Sequence, residues 1–347
     1  MRWSPHIRLV EGDDPMPWRK VLMMVLAMVV PAVVAVSILG RPGAIAFVAA
    51  MPACLAAQDA DVKVSVLVTL VMGMTGLLSL GQPQMALIVA PLLGLMVGIC
   101  GSFGYARAAI RGLLTWPIFT SSILDHPSQT ELFAIFIAAM LWAQGVTWAF
   151  GEAGSNGTED VESAEYAGVF GVVLAVGMTL SVWVGGRFFG DHGFWFPLTF
   201  VILVLPPHGQ LFSRTAKRTV GTVIGTGVAL GVAWVSDATW LTVSLAALCL
   251  VSGFRMLPRN YTLFTTLLTI AVLEVLALVS EVDRLALERI GTMAAAAAMT
   301  VGLGLTGWAV LRTLAPGALD ALQEGEPTPA IGGQHRRDSH ASASRPG

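Results

Sequence analysis

The chain has 347 residues, 55% of them hydrophobic and only 12% charged, with a formal net charge of −2. Soluble domains carry about 25% charged residues, so a mean hydropathy of +0.74 excludes an ordinary water-soluble fold and predicts an all-α polytopic membrane protein. Neither the near-neutral total nor any basic run points to a nucleic-acid partner.

Taken in order, residues 1–20 hold Arg2, Arg8, Arg19 and Lys20 beside Trp18, a basic flank with an interfacial anchor. Residues 21–150 read as a first six-helix membrane repeat. Its first span covers 21–40, with Pro31 allowing a kink, and its second is a short apolar segment at 43–57 that carries Pro52. The polar elbow Gln58 to Lys63 follows, then spans at 64–80 and 84–100 split by Gly81-Gln82-Pro83. Arg107 and Arg111 precede a fifth span ending near Leu124, and a sixth runs over 132–150. Residues 151–165 are rich in Glu, Asp, Gly and Ser and read as a polar linker.

Residues 166–313 read as a second six-helix repeat, with spans at 166–185, 194–206, from the basic elbow to about 235, 240–254, 261–280 and 290–311. The tail 314–347 is rich in Pro, Gly, Ser and charge and predicts a disordered cytoplasmic segment. The total is about twelve transmembrane helices in two parallel repeats. The short segments 43–57 and 194–206 occupy corresponding places in the two halves, and paired broken segments of this kind point to a transport site.

The stretch after His192 is the most informative. Residues 194–206 carry no charge, yet a span needs about 20 apolar residues, and Pro206-Pro207 predicts a stop that leaves carbonyls to be satisfied by water or protein. Arg214, Lys217 and Arg218 follow, then Gly221 and Gly225, whose four-residue spacing predicts a face for close helix packing. Phe194, Trp195 and Phe196 offer flat apolar surfaces to a substrate, and the three basic residues offer attraction for organic anions. For those basic residues the competing reading is a topology signal in contact with lipid headgroups.

Glu274, set between Leu273 and Val275, is a charge at membrane depth and a candidate for proton coupling. His192, which titrates near neutrality when unperturbed, is the other. Cys54, Cys100 and Cys249 lie in apolar stretches and behave as small hydrophobes. The sequence has no CxxC, HExxH or phosphate-binding glycine loop, so no metal, cofactor or enzyme chemistry is expected. Asp191-His192 with Ser181 or Ser213 lacks the nucleophile elbow of a hydrolase.

Phe194-Trp195-x-Pro197-Leu198-Thr199, then Arg214-x-x-Lys217-Arg218-x-x-Gly221-Thr222, Leu257-Pro258-Arg259-Asn260-Tyr261 and Arg289-Ile290-Gly291-Thr292 together resemble the aromatic acid exporter and fusaric acid resistance (FUSC-like) family. The resemblance covers 166–312 and implies a membrane export fold. It also implies a periplasmic adaptor partner, and it differs from members that carry a large soluble domain where this chain has its linker. The expected function is inner-membrane export of aromatic or amphipathic organic acids, coupled to protons, by a chain in contact with lipid and open to homo-oligomer formation. The rivals are a passive anion channel similar to the aluminium-activated malate transporters and a non-transporting envelope or assembly protein.

Of the 20 basic residues, all but Arg41, Arg187, Arg284 and Arg289 fall on one side of the twelve-span arrangement, which predicts that both termini are cytoplasmic. Single-cysteine variants labelled from outside intact cells should therefore stay unmodified at Glu159 and Arg214 and react at Asp283. External labelling at position 214 overturns the arrangement.

Overall fold

The computed structural model describes residues 14–120, 128–157, 161–205, 211–235, 238–277 and 282–317. The Pro206-Pro207 stop, most of the N-terminal segment and nearly all of the tail lie outside them. Among the described residues the secondary structure is helical with no strand. Nine helices there are long and apolar enough to cross a membrane.

Helix α1 (Trp18–Met24) runs through a π-helical turn at Val25–Val29 into α2 (Val30–Leu39). The widened turn sits just before Pro31, whose ring clashes with the carbonyl four residues back in a regular α-helix. In π geometry the amide of residue 31 would bond the Leu26 carbonyl, and proline has no amide hydrogen. Trp142 takes its place, its Nε1 donating to Leu26 O at 2.9 Å. The kink expected at Pro31 is thus a π-bulge braced by another helix.

After a 3₁₀ turn at Arg41–Ala44, α3 (Ile45–Asp59) is buried along most of its length and packs against α4 (Val62–Ser79), α6 (Ala106–Leu113) and α7 (Gln129–Ala149). It is the core of the first half, rich in alanine, which lets its neighbours approach closely. Helix α5 (Pro83–Gly101) packs on α8 (Ala164–Phe188). There Gly94 faces the backbone of Ala175, and a Cβ on Gly98 would lie 2.5 Å from the Cα of Gly171. This seam joins the two halves backbone to backbone.

The second half is laid out around α9 (Trp195–Leu203), which packs against α8, α10 (Leu211–Val235) and α13 (Val282–Leu314). Helix α11 (Thr239–Met256) packs on α12 (Tyr261–Ala277), and α12 packs on α10. Gly221 and Gly225 lie at that last contact, where a Cβ would come within 2.7 Å of Thr262 O and 2.6 Å of Thr266 O respectively.

Two expectations need correction. Among the described residues the fifth span is not one continuous helix: α6 has eight residues, about 12 Å at 1.5 Å per residue against a hydrocarbon core of about 30 Å. It is followed by a 3₁₀ turn, Trp116–Thr120. Pro117 is the physical cause, since it cannot donate and its ring excludes the carbonyl of Leu113, where α6 stops. The twelfth span begins earlier than expected, because α13 starts at Val282 and takes in Glu288 and Arg289.

Gly225→Leu should lower the yield of monodisperse protein and its melting temperature, by an overpacking penalty of about 1–3 kcal/mol. Gly227→Leu is the control, because nothing lies within 4 Å of a Cβ there. Equal behaviour of the two variants refutes the α10–α12 packing.

Candidate functional site

The site is built on a helix that stops early. A 3₁₀ turn at Gly190–His192 leads into α9, and Pro197 falls in the first turn, where amides have no partner within the helix and a missing N–H costs little. At the other end Leu205 O is left without a helical partner, and the Arg214 guanidinium donates to it. Arg214 therefore braces the break in the chain.

Lys217 and Arg218 sit two turns into α10 and are buried, with 8% and 2% of their surface exposed. Lipid-headgroup contact needs such groups at the rim, so burial decides against it for these two. Arg218 Nη1 donates to the Tyr261 hydroxyl at 3.3 Å, and its Nε has no hydrogen-bond partner among the described residues. Thr222, one turn further along α10, and Thr262, next to Tyr261 on α12, are buried with hydroxyls that find no partner among the described residues.

The α9 aromatics are all buried but do not share one surface. Phe194 and Trp195 pack with Ala229, Leu273 and Leu285, whereas Phe196 packs with Met293 and Ala296. Trp195 meets Arg289, whose guanidinium carbon lies 5.1 Å from the ring centroid. Arg289 is 7% exposed, and its Nη1 donates to Thr199 Oγ1 at 3.1 Å. Arg218 is close enough for its charge to act on Arg289.

His192 lies against the same cluster, its ring 5.5 Å from that of Trp195 and its Nδ1 2.6 Å from Glu288 Oε2. Glu274 is placed differently. It lies on α12, buried, and its Oε1 has no hydrogen-bond partner among the described residues, with Thr242 of α11 the polar side chain that acts on it. Its neighbours are therefore at the α11–α12 contact, and the arginines lie on other faces.

Glu288, Arg289, Thr199 and Tyr261 are the residues that sequence reasoning missed as parts of a site. One signal was present: Arg218 and Arg289 each open a short Arg…Gly-Thr motif, ending at Gly221-Thr222 and Gly291-Thr292. Assigning Arg289 to a loop hid its equivalence to Arg218. A separate cleft of about 480 Å³, lined by Asp59, Asp61, Lys63, Tyr105 and linker residues, lies under the first half. Its acids are engaged, Asp59 with Arg111 Nε at 2.9 Å and Asn156 Nδ2 at 2.8 Å, and Asp61 as the cap of α4.

Residues 168–303 match the family model described as fusaric acid resistance protein-like. The match runs from α8 into α13 and takes in α9 with every basic and aromatic residue of the site. No curated protein and no solved structure matches the chain. Over residues 168–303 the chain is thus similar to the fusaric acid resistance protein-like family, as its motifs led one to expect, and its many long apolar helices make it a multi-pass membrane protein.

Proposed function

We propose that the protein exports aromatic or otherwise amphipathic organic acids across a bacterial-type inner membrane, with both termini cytoplasmic, and that the proton gradient drives it. The observation carrying this reading is the burial of Lys217 and Arg218 inside α10. Charges at membrane depth are costly and face a bundle interior or a hydrated path, and two cations there favour an anionic solute. The Trp195 ring, against the third buried cation Arg289, suits one with an apolar body.

Two further arrangements support the architecture of that reading. Lys20 pairs with Glu152 and hydrogen-bonds Asn156, and Arg255 donates to Met16 O and stacks over Trp18. The N-terminal flank, the linker and the loop after α11 therefore gather at one end, in agreement with the basic asymmetry. The packing partners also recur between halves: α4 meets α6 and α7 as α10 meets α12 and α13, and α5 meets α6 as α11 meets α12. That recurrence favours two parallel six-segment repeats in which α3 corresponds to α9.

Flux of benzoate into inverted proteoliposomes tests the reading. Arg218→Gln should reduce kcat/KM by about tenfold, equivalent to ~1.4 kcal/mol, and do so at low and high ionic strength alike, because a buried charge is screened little. A loss confined to low salt would return the residue to a steering role at the surface. No flux in the wild type removes the export reading.

For proton coupling, His192 is the better placed of the two candidates, since it pairs with Glu288 beside Trp195. His192→Gln should abolish stimulation by an imposed pH gradient while downhill exchange persists, and Glu274→Gln should retain stimulation. The opposite pattern moves coupling to the α11–α12 contact. A wild type indifferent to the gradient favours the passive channel.

A further inference from the structure

Arg218 and Arg289 reach the same interior from opposite ends of the bundle. Arg218 lies near the first described residue of α10 and Arg289 near that of α13, and with α11 and α12 between them in the chain those two packed helices run antiparallel. Both guanidinium groups are buried. The contacts that hold them are neutral: the Tyr261 hydroxyl for Arg218, and the Thr199 hydroxyl and Trp195 ring for Arg289. Among the described residues no carboxylate pairs with either, since Glu288 is turned to His192 and Asp59 to Arg111.

Burial of a charge without a counter-charge is strongly unfavourable, and two like charges brought together add repulsion. Helices α10 and α13 pack directly against one another, so the two buried cations share one interior. An arginine cannot escape the penalty by losing its proton as a lysine can. Arg218 Nε, unsatisfied in the interior, is a donor for which the described chain supplies no acceptor. Two cations and an unused donor together call for a negative partner that the described residues do not supply.

We propose that Arg218 and Arg289 form a single binding site for a small monovalent anion, a carboxylate or chloride, held between the α10 and α13 guanidinium groups. Thr199 is a positioning residue that orients Arg289 toward that site. This deepens the export reading and rests on it for the identity of the carboxylate as substrate. The binding itself does not depend on transport.

The test is isothermal titration and thermal melting of the full-length protein in detergent, in a chloride-free HEPES buffer, with sodium benzoate and sodium chloride as separate probes. The wild type should bind benzoate saturably and gain melting temperature. Arg218→Gln and Arg289→Gln should each weaken binding about tenfold or more, and Arg289→Lys should recover part of the loss. Thr199→Val should fall between wild type and Arg289→Gln. Chloride that shifts the melting temperature and competes with benzoate identifies an inorganic occupant; benzoate binding untouched by chloride identifies the carboxylate.

Equal affinity in wild type and Arg289→Gln overturns the proposal, as does a wild type that neither anion stabilises. If Arg289→Gln fails to fold, Arg218→Gln and the wild-type titration decide by the same two criteria. Flux on the same preparations separates this proposal from the export reading. Benzoate transport with an unchanged KM in Arg289→Gln removes the site and leaves export, whereas saturable binding in a protein that moves no benzoate keeps the site and removes export.

Discussion

Hydrocarbon offers no hydrogen-bond partner, so every backbone group released where a helix bends or stops has to be answered by another part of the protein. The rest of this structure depends on how that is done. The Leu26 carbonyl, released by Pro31, accepts from the Trp142 indole, and the Leu205 carbonyl, released where α9 ends, accepts from Arg214. Thr115, beyond the end of α6, donates to Val48 O of α3, and Arg19 donates to Phe150 O at the end of α7. Each answer comes from a side chain on another element, so irregular backbone and tertiary packing fix one another. An unanswered buried carbonyl would cost about 1–3 kcal/mol, enough at several places to threaten a marginal fold.

The same accounting separates the charges of this chain by task. Arg214 and Arg19 serve carbonyls, Asp59 and Arg111 serve each other, and Lys20 ties the N-terminal flank to the linker. Lys217, Arg218 and Arg289 are the basic side chains taken inside, and they cluster where α9 gives up its membrane-spanning length. A short helix leaves depth that its neighbours must fill. Here the lining is polar, because threonines occupy the faces of α10, α12 and α13 that point inward.

Much of this was legible in the residues. Apolar length located most spans, Pro31 marked the bend, and the shortness of 194–206 followed from its missing charges and terminal prolines. Glycine spacing at Gly221 and Gly225 marked a contact face, though a sequence does not say which helix answers. What stayed hidden depended on where helices begin. Pro117 ended α6 inside the stretch read as a fifth span, and the start of α13 by Val282 moved Arg289 from a loop to the interior. The pairing of His192 with Glu288 joins residues almost a hundred positions apart, and local pattern carries no trace of it.

Helix α9 is held to α8 by more than side-chain packing. Gly193 lies on the carbonyl of Gly185, and Phe200 fills the space that a side chain on Gly177 would take, so two glycines a little over two turns apart on α8 seat the short helix at both ends. Helices fitted this closely do not slide independently. Helices α8 and α9 therefore behave as one body, extended across the seam through Gly94 and Gly98 to α5. Any motion that opens the interior belongs to α10, α12 and α13 shifting against that body. One buried arginine then rides on each of two moving helices while Trp195 and Thr199 stay with the fixed frame, so the spacing of the two positive charges is itself a readout of the protein's conformational state.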